Sequence, residues 1–366
     1  MKISIGSRII DGPYGGGNEF LKNLKYYLEH NDHVVVDNLK DKDIDVILLT
    51  NPLKDSETST FNHFDIQYYL RFINPSAVVF HRINECDERK NTNYVNKSIN
   101  FANKFVDINI FVSDWVRSVY KEYELYKKIH YVIRGGPNEK IFNSKNKEYW
   151  NGEENLKLVT HHWSNNTNKG FETYKIIDAL AFKNNFEFTF IGNLPQNFEF
   201  KNAKVVKALH GEPLAHELKQ NHIYVTASKN EPSGNHHMEG ALCGLPVLYI
   251  NSGALSEYCK NYGVEFKIET FLESLNVIKD NYTNLTDKLR LYPYTSSNAS
   301  KEFEAIFFEA FKNKQKYINL RNQQNKLIVL SNYFTNKVLV YLYSNLKYLK
   351  KASGKLKKYA LGSHNA

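Results

Sequence analysis

The chain has 366 residues, of which 42% are hydrophobic and 24% charged, enough for two globular domains with separate cores. It contains no apolar run of the roughly 20 residues that a transmembrane helix requires, and its first residues lead into a strand pattern rather than a signal peptide. The three cysteines, Cys86, Cys243 and Cys259, lack metal-ligand spacing and favour a reducing, cytoplasmic location.

The net charge of +9 is concentrated at the C-terminus. After Glu309 there are twelve Lys and Arg and no acidic residue, so the rest of the chain carries about −3. Residues 315–366 are predicted to form a basic, amphipathic helical tail that docks on an anionic membrane, which would place the protein on the inner face of the cytoplasmic membrane. The alternative is a helix packed on the body or on a partner subunit. Nucleic acid is not an expected partner, because the lysines are not interleaved with a known nucleic-acid-binding fold.

Short apolar runs alternate with amphipathic stretches along most of the chain, a rhythm typical of parallel sheets covered by helices. In the first half the strands are predicted at Ile3–Ile5, Val34–Asp37, Asp45–Leu49, Ala77–Phe80, Ile108–Val112 and His130–Ile133. In the second half they are predicted at Leu156–Thr160, Phe186–Ile191, Lys204–Val206, Ile223–Thr226 and Pro246–Tyr249.

The repeated rhythm predicts an α/β fold of two doubly wound, Rossmann-like domains with a cleft between them. The expected boundaries are 1–142 for an acceptor-side domain and 143–292 for a nucleotide-sugar-binding domain, with the polar stretch 143–155 as the linker. A helix at 293–314 is expected to pack back on the first domain, ahead of the helical tail at 315–366.

The most informative stretch is EPSGNHHMEGALCGLPV, from Glu231 to Val247. Ser233, Gly234 and Asn235 precede an amphipathic run, so they predict a helix N-terminus with free N–H groups for an anionic ligand. Glu231 and Glu239 are eight residues apart, on the order of 10 Å if most of the span is helical. That separation is too long for the ~5 Å pair of a retaining glycosidase and suits two contacts on one long ligand.

This stretch resembles the E-x7-E motif of retaining GT-B glycosyltransferases of the family 4 (group 1) type nearly position by position. The resemblance covers roughly residues 1–310. It implies that Glu239 holds the ribose hydroxyls of the donor, that Glu231 lies at the donor sugar, and that Ser233–Asn235 lie near the sugar and phosphates. Taken alone, the two carboxylates would equally fit a helix with two solvated glutamates.

The glycine-rich loop before the first helix fits this resemblance, since bare glycines such as Gly16 and Gly17 let backbone N–H groups approach a phosphate. Taken alone, this loop would better fit a plain glycine turn. It fits neither G-x-G-x-x-G nor the Walker motif, which argues against a dehydrogenase or a P-loop enzyme. His81, Arg82 and Asn84 follow the strand Ala77–Phe80, where the family commonly has a His near the donor sugar and some members have Arg-x-Asn. A polar loop with a capping His is the alternative.

Lys169 follows the strand Leu156–Thr160 and a polar loop, where it can balance charge on the leaving diphosphate; a surface lysine is the alternative. The family usually has an Arg five or six residues earlier, but Trp163 and Ser164 stand there. The second phosphate-binding cation is therefore unassigned, with a protonated His161 or His162 as the candidate substitutes.

Neither adjacent histidine pair, 161–162 or 236–237, has zinc-ligand spacing, and Asp43-Ile44-Asp45 leads into a strand. No metal and no cofactor beyond the donor substrate are expected. The sequence therefore predicts a retaining glycosyltransferase that moves a sugar from a nucleotide-diphosphate sugar to a saccharide or lipid-linked acceptor, in surface polysaccharide or glycolipid synthesis. Catalytic roles are assigned to Glu231, Lys169 and His81. A non-catalytic nucleotide-sugar-binding protein of the same fold is the alternative.

Overall fold

A computed structural model describes residues 1–12, 15–52, 57–321 and 324–362, with the backbone alone for 348–362. Within these residues the chain forms two six-stranded parallel sheets. The predicted fold class is confirmed.

The first sheet has the strand order β2-β1-β3-β4-β5-β6 and is covered by helices on both faces. Its strands are β1 (Lys2–Ile5), β2 (Val34–Val36), β3 (Val46–Leu49), β4 (Val78–Ile83), β5 (Ile108–Phe111) and β6 (Ile129–Val132). Its helices are α1 (Gly16–His30), α2 (His63–Phe72), α3 (Asp87–Lys90), α4 (Val95–Ala102) and α5 (Asp114–Val119).

The second sheet has the order β12-β11-β10-β7-β8-β9, so its strand order reverses between β7 and β10. Its strands are β7 (Leu156–His162), β8 (Phe186–Gly192), β9 (Lys204–Val206), β10 (Ile223–Thr226), β11 (Val247–Tyr249) and β12 (Gly263–Glu265). Its helices are α6 (Phe171–Lys183), α7 (Gly211–Lys219), α8 (Asn235–Leu242), α9 (Leu255–Cys259), α10 (Phe271–Asp280) and α11 (Tyr282–Leu289). Ligands of such sheets bind beyond the carboxyl ends of the strands at the point of reversal.

The chain passes between the two sheets twice, and the two passages touch. Ile133 belongs to the first core and Phe142 to the second, so the outward passage lies between them. The return passage meets it where the Ser296 amide donates to the Pro137 carbonyl at 2.9 Å. Gly136 has no room for a side chain there, since a Cβ atom would lie 2.3 Å from the Tyr294 carbonyl oxygen.

After the return passage, α12 (Ser296–Lys312) covers the first sheet beside α1. Phe303 packs against Phe20 with ring centroids 5.1 Å apart, and Phe307 packs against Phe80 at 4.8 Å. Burying aromatic rings of this size contributes on the order of 2 kcal/mol each. The core of the first domain is therefore completed by residues that follow the second domain in sequence.

The polar stretch 143–155, predicted as a linker, packs on the second domain. The Lys147 ammonium donates to the Asn221 carbonyl at 2.5 Å, and Trp150 lies edge-on to Tyr282.

The tail begins with α13 (Lys314–Asn319) and continues as α14 (Lys326–Gly362). One face of α14 contacts α2: Tyr333 stacks on Tyr68 at 4.2 Å, and Lys337 pairs with Asp65 at 2.7 Å. Large apolar side chains on α14 remain exposed, among them Leu327, Phe334, Val338, Tyr341, Leu342 and Leu346. No helix in the described part of the chain is both long enough and apolar enough to cross a bilayer.

Candidate functional site in the cleft

The E-x7-E stretch follows β10, at the point where the order of the second sheet reverses. Glu231 lies in the loop before α8, and Glu239 lies within α8. The helix begins at Asn235, so only the second half of the span is helical: the chain bends at Pro232 and Ser233, and Gly234 has a φ of 73°. The two carboxylates consequently belong to different elements.

Glu231 forms a buried ion pair with Lys169. The Lys169 ammonium donates to Glu231 Oε2 at 2.7 Å, and both residues are less than a tenth exposed. Lys169 ends a 3-10 turn at Thr167–Lys169, immediately before α6. The structure thus brings together two residues that are 62 positions apart in sequence and that were both predicted to bind the donor.

Glu231 is held as a carboxylate. Burial acts to raise its pKa, but the charges of Lys169 and Arg89 and the hydrogen bond from Lys169 outweigh burial and leave the pKa lowered. Its backbone is fixed by α9, since the Ala254 amide donates to the Glu231 carbonyl at 2.8 Å. The anion therefore has a defined position in the cleft.

Glu239 pairs with a different residue, His161. His161 Nε2 lies 2.6 Å from Glu239 Oε2, and the His161 amide donates to the Tyr224 hydroxyl at 3.1 Å. The Glu239 side chain is 15% exposed, so it retains contact with solvent. His161 was a candidate to replace the phosphate-binding Arg of the family. Because its ring is directed at Glu239, this role does not match the geometry.

Three further histidines lie beneath the site, and burial keeps them neutral. It lowers the pKa of His237 to about 4 and depresses those of His162 and His236 well below the usual value. His162 Nε2 bonds the Tyr174 hydroxyl at 2.8 Å, and His236 Nε2 bonds the Thr226 hydroxyl at 2.9 Å. The expectation that a protonated His162 replaces the missing Arg is therefore wrong, because a buried imidazole loses its proton first.

The start of α8 meets the glycine-rich loop of the first domain. A Cβ atom on Gly16 would lie 3.3 Å from the Asn235 side chain, whereas one on Gly17 would meet open space. Ser233 Oγ lies 3.1 Å from the Tyr258 hydroxyl, which itself donates to the Val112 carbonyl of the first domain at 2.8 Å. The predicted phosphate loop and the predicted sugar loop thus face each other across the cleft.

The first domain has a cavity of about 650 Å³ at the carboxyl ends of its strands. Gly16, Gly17, His81, Arg82 and Asn84 all line it. The predicted first-domain residues are therefore neighbours, and Gly16 also touches the start of α8.

The prediction that His81 and Arg82 follow a strand is wrong. Both residues lie within β4, which continues to Ile83. Asn103 donates to His81 Nδ1 at 3.0 Å, and burial, together with the nearby His63, lowers the pKa of His81 to about 3. Burial lowers the pKa of Arg82 to about 10, and its guanidinium lies 4.0 Å above the ring of Phe20. Neither side chain touches Glu231 or Lys169 in the contacts described.

No protein-family model and no curated protein sequence matches this chain. Its structure is similar to sucrose-phosphate synthase from Thermosynechococcus elongatus, with a TM-score of 0.62 at 12% identity, covering 85% of this chain and 99% of the other. It is also similar to a glycosyltransferase from Rickettsia africae, with a TM-score of 0.61 at 14% identity, covering 85% and 98%. A third similar structure is Anabaena HepE in complex with UDP and glucose, with a TM-score of 0.58 at 13% identity, covering 84% and 99%. This chain has the GT-B fold.

Other contacts between the two GT-B domains were not predicted from the sequence. Glu257 of the second domain accepts hydrogen bonds from the Asp114 and Trp115 amides at 2.9 and 2.6 Å, and so caps the N-terminus of α5. Arg134 also pairs with Glu257, at 2.8 Å. Nothing in the sequence around Glu257 indicated a contact with the first domain.

Arg89 is a second missed residue. Its Nε lies 3.9 Å from Glu231 Oε1, so a first-domain cation reaches the second-domain carboxylate of this GT-B cleft. In sequence it lies in the charged run Asp-Glu-Arg-Lys, a composition typical of a solvated helix end. No signal in the sequence distinguished it.

In the described part of the chain, no group of three or more His, Cys, Asp or Glu side chains is arranged to hold a metal ion. The three cysteines are free and buried, and burial raises the pKa of Cys86 and Cys243 to about 12. These thiols are structural rather than reactive, because the thiolate is the nucleophilic form.

Proposed function

We propose that this protein is a glycosyltransferase that moves a sugar from a nucleotide-diphosphate sugar to a saccharide or lipid-linked acceptor. The observation that carries the proposal is the buried Glu231–Lys169 pair before α8, with Glu239 farther along that helix, in a GT-B cleft. A buried ion pair is a weak source of stability, because removing two charges from water costs several kcal/mol per ion. A role in ligand binding therefore explains the presence of this ion pair in the cleft better than a role in stability does.

In this proposal the donor lies along α8. Glu239, still partly open to solvent, binds the ribose hydroxyls, while Glu231 and the backbone of residues 233–235 bind the sugar. Lys169 balances the charge that develops on the leaving diphosphate, and Gly16 approaches the phosphates from the other domain. The complex of HepE with UDP and glucose supports a nucleotide-sugar donor for a fold of this kind.

We further propose that the sugar is transferred with retention at the anomeric carbon, in the manner of GT-B enzymes of family 4. The resemblance of residues 231–247 to that family supports this, and Glu231 is already neutralised by Lys169 rather than presented as a free nucleophile. The measurement is the anomeric configuration of the product by NMR, and an inverted product would exclude retention.

The acceptor occupies the cavity of the first domain. Lys347 of α14 is among its lining residues and pairs with Glu57 at 2.9 Å, so the tail reaches the cavity mouth. The exposed apolar side chains of α14, followed by lysines at 350, 351, 355, 357 and 358, suit an anionic membrane surface, where each lysine contributes roughly 1 kcal/mol. This arrangement supports a lipid-linked acceptor, as in surface polysaccharide or glycolipid synthesis.

The test of the donor site is binding and transfer with a panel of nucleotide sugars, for the wild type and Glu239→Ala. We expect one donor to bind and the substitution to weaken it strongly, while Glu212→Ala, an exposed glutamate of α7, leaves it unchanged. Donor binding without transfer to any acceptor would favour the non-catalytic alternative. If no donor binds to the wild type, the proposal is wrong.

Tail docking is tested by sedimentation with vesicles of phosphatidylglycerol and phosphatidylcholine. We expect binding to fall steeply when Phe334 and Tyr341 are both replaced by Ser, because these side chains are exposed and their loss leaves the α2 contact intact. Binding that persists in this variant would contradict docking through α14.

A further inference from the structure

A nucleoside diphosphate brings two phosphate groups to the cleft, and the charge of Lys169 is already opposed by Glu231 at 2.7 Å. The loop from Trp163 to Asn168 contains no Lys or Arg, and His162 is neutral. The second domain alone therefore offers the diphosphate a nearly neutral pair. A further cation is needed if the leaving group is to be stabilised electrostatically.

Arg89 is placed to supply that cation from the other domain. Its side chain is 18% exposed, and its Nε lies 3.9 Å from Glu231 Oε1. This distance is an ion-pair separation that exceeds a hydrogen bond, so Glu231 does not hold the guanidinium in a fixed bidentate contact. With Lys169 and Arg89 facing one carboxylate, the cluster carries a net charge of about +1.

The segment that carries Arg89 is attached to the second domain by two asparagines. Asn168 Nδ2 donates to the Arg89 carbonyl at 3.2 Å, and Asn230 Nδ2 donates to the Glu88 carbonyl at 3.1 Å. Each asparagine directly precedes one member of the Glu231–Lys169 pair in sequence. The two domains are therefore tied together at the position where the diphosphate is proposed to lie.

Two other first-domain cations near the cleft are already engaged. Arg82 is buried over Phe20, and the Lys90 ammonium pairs with Glu85 at 3.2 Å inside the first-domain cavity. Glu231 experiences the charges of Lys169 and Arg89 more strongly than that of any histidine. Of these three first-domain cations, Arg89 is thus the one placed to share the ligand with Lys169.

We propose that Arg89 of the first domain binds the diphosphate of the donor together with Lys169, in place of a cation on the β7–α6 loop. The proposal rests on the proposed function, because it presupposes a nucleotide-diphosphate donor. It makes the diphosphate a bridge between the two domains. The first domain then contributes to donor binding as well as to acceptor binding.

The experiment compares nucleoside diphosphates with the corresponding monophosphates. Affinities for UDP, GDP, ADP and TDP, and then for the monophosphate of whichever binds, are measured by calorimetry for the wild type, Arg89→Ala, Arg89→Lys and Arg290→Ala. Arg290 is an exposed arginine of the second domain and serves as the matched control. Thermal melting without nucleotide checks that each variant is folded.

We expect Arg89→Ala to weaken diphosphate binding roughly ten- to hundredfold, the loss of one hydrogen bond between charged groups. Monophosphate binding should change less than about threefold, and Arg89→Lys should recover part of the diphosphate affinity. Arg290→Ala should match the wild type.

If Arg89 serves only as an ion pair between the domains, its loss lowers the melting temperature while the ratio of diphosphate to monophosphate affinity stays that of the wild type. That result overturns the inference but leaves the proposed function standing. If the wild type binds none of the diphosphates, the proposed function itself fails.

Discussion

Removing the ammonium of the buried ion pair tests the site before any ligand is known. In Lys169→Met the Glu231 carboxylate stays buried but loses its 2.7 Å partner. Breaking a buried pair in this way typically costs about 3–5 kcal/mol. Arg89, 3.9 Å away, retains part of the compensation, so we expect the lower end, about 3 kcal/mol. The double variant Lys169→Met with Glu231→Gln should recover most of this loss, because no uncompensated charge remains.

The pH dependence of this variant has a definite sign. Without Lys169, burial acts on Glu231 with less opposition, so the pKa of the carboxyl should rise above its unfolded value. A group whose pKa is raised in the folded state stabilises the protein at low pH, and that contribution is lost as the pH rises through the folded pKa. The deficit of Lys169→Met relative to wild type should therefore shrink between pH 7.5 and pH 5.

The assay is guanidinium unfolding followed by tryptophan fluorescence in a Trp115→Phe background, because the two remaining tryptophans, Trp150 and Trp163, both lie in the second domain. The transition of this domain is compared among variants, since a two-domain protein need not unfold in one step. Lys183→Met, at an exposed end of α6, is the control for loss of a lysine. A deficit below 1 kcal/mol for Lys169→Met, with no recovery in the double variant, would refute the description of Glu231 as a buried, ionised partner.

Three further changes test other parts of the structure. Gly253→Ala should weaken diphosphate binding tenfold or more, because a Cβ atom there would lie 2.3 Å from the Glu231 amide nitrogen. The control is Gly152→Ala, which also has a positive φ but has open space around it, and it should leave binding unchanged. Burial lowers the pKa of His222 to about 4, so its neutral form stabilises the fold above pH 6.5 and about 2 kcal/mol of this is lost on going from pH 7.5 to 5. The unfolding midpoint of His222→Gln should therefore fall less than that of the wild type between pH 7.5 and pH 5. An equal fall in the two proteins would contradict the lowered pKa of His222. Arg321→Ala should destabilise the first domain by about 2–4 kcal/mol, because its guanidinium binds a buried carboxylate and two backbone carbonyls; a calorimetric melting shift confined to the second domain would contradict this.

The architecture was predictable because buried parallel strands are continuous apolar runs whose positions depend on local sequence. β12 was not predicted, since its three residues, Gly263–Glu265, are partly or fully exposed and carry no apolar pattern. The end of β4 was also misplaced. His81 and Arg82 are polar, yet the strand continues through them because Asn103 and the ring of Phe20 satisfy their side chains.

Part of the candidate site could be proposed from the sequence. Glu231 and Glu239 belong to one continuous motif that resembles a known family, and Lys169 follows a neighbouring strand, so the resemblance implied a role for each of them. The contacts of Arg89, Asn168 and Glu257 depend on how the two domains pack together. Local sequence patterns do not encode that packing. The partners of the histidines could not be inferred either, because a histidine can be either a hydrogen-bonded core residue or a ligand-binding residue.

The two adjacent passages between the domains limit how the protein can move. Because Gly136 and Ser296 hold the two passages together, we expect the domains to rotate about a hinge axis near this point rather than to slide past each other. Rotation about that axis would separate Gly16 from Asn235 and Arg89 from Asn168 in the same movement. Opening the cleft about this axis would therefore break the Gly16–Asn235 contact and the Arg89–Asn168 contact together.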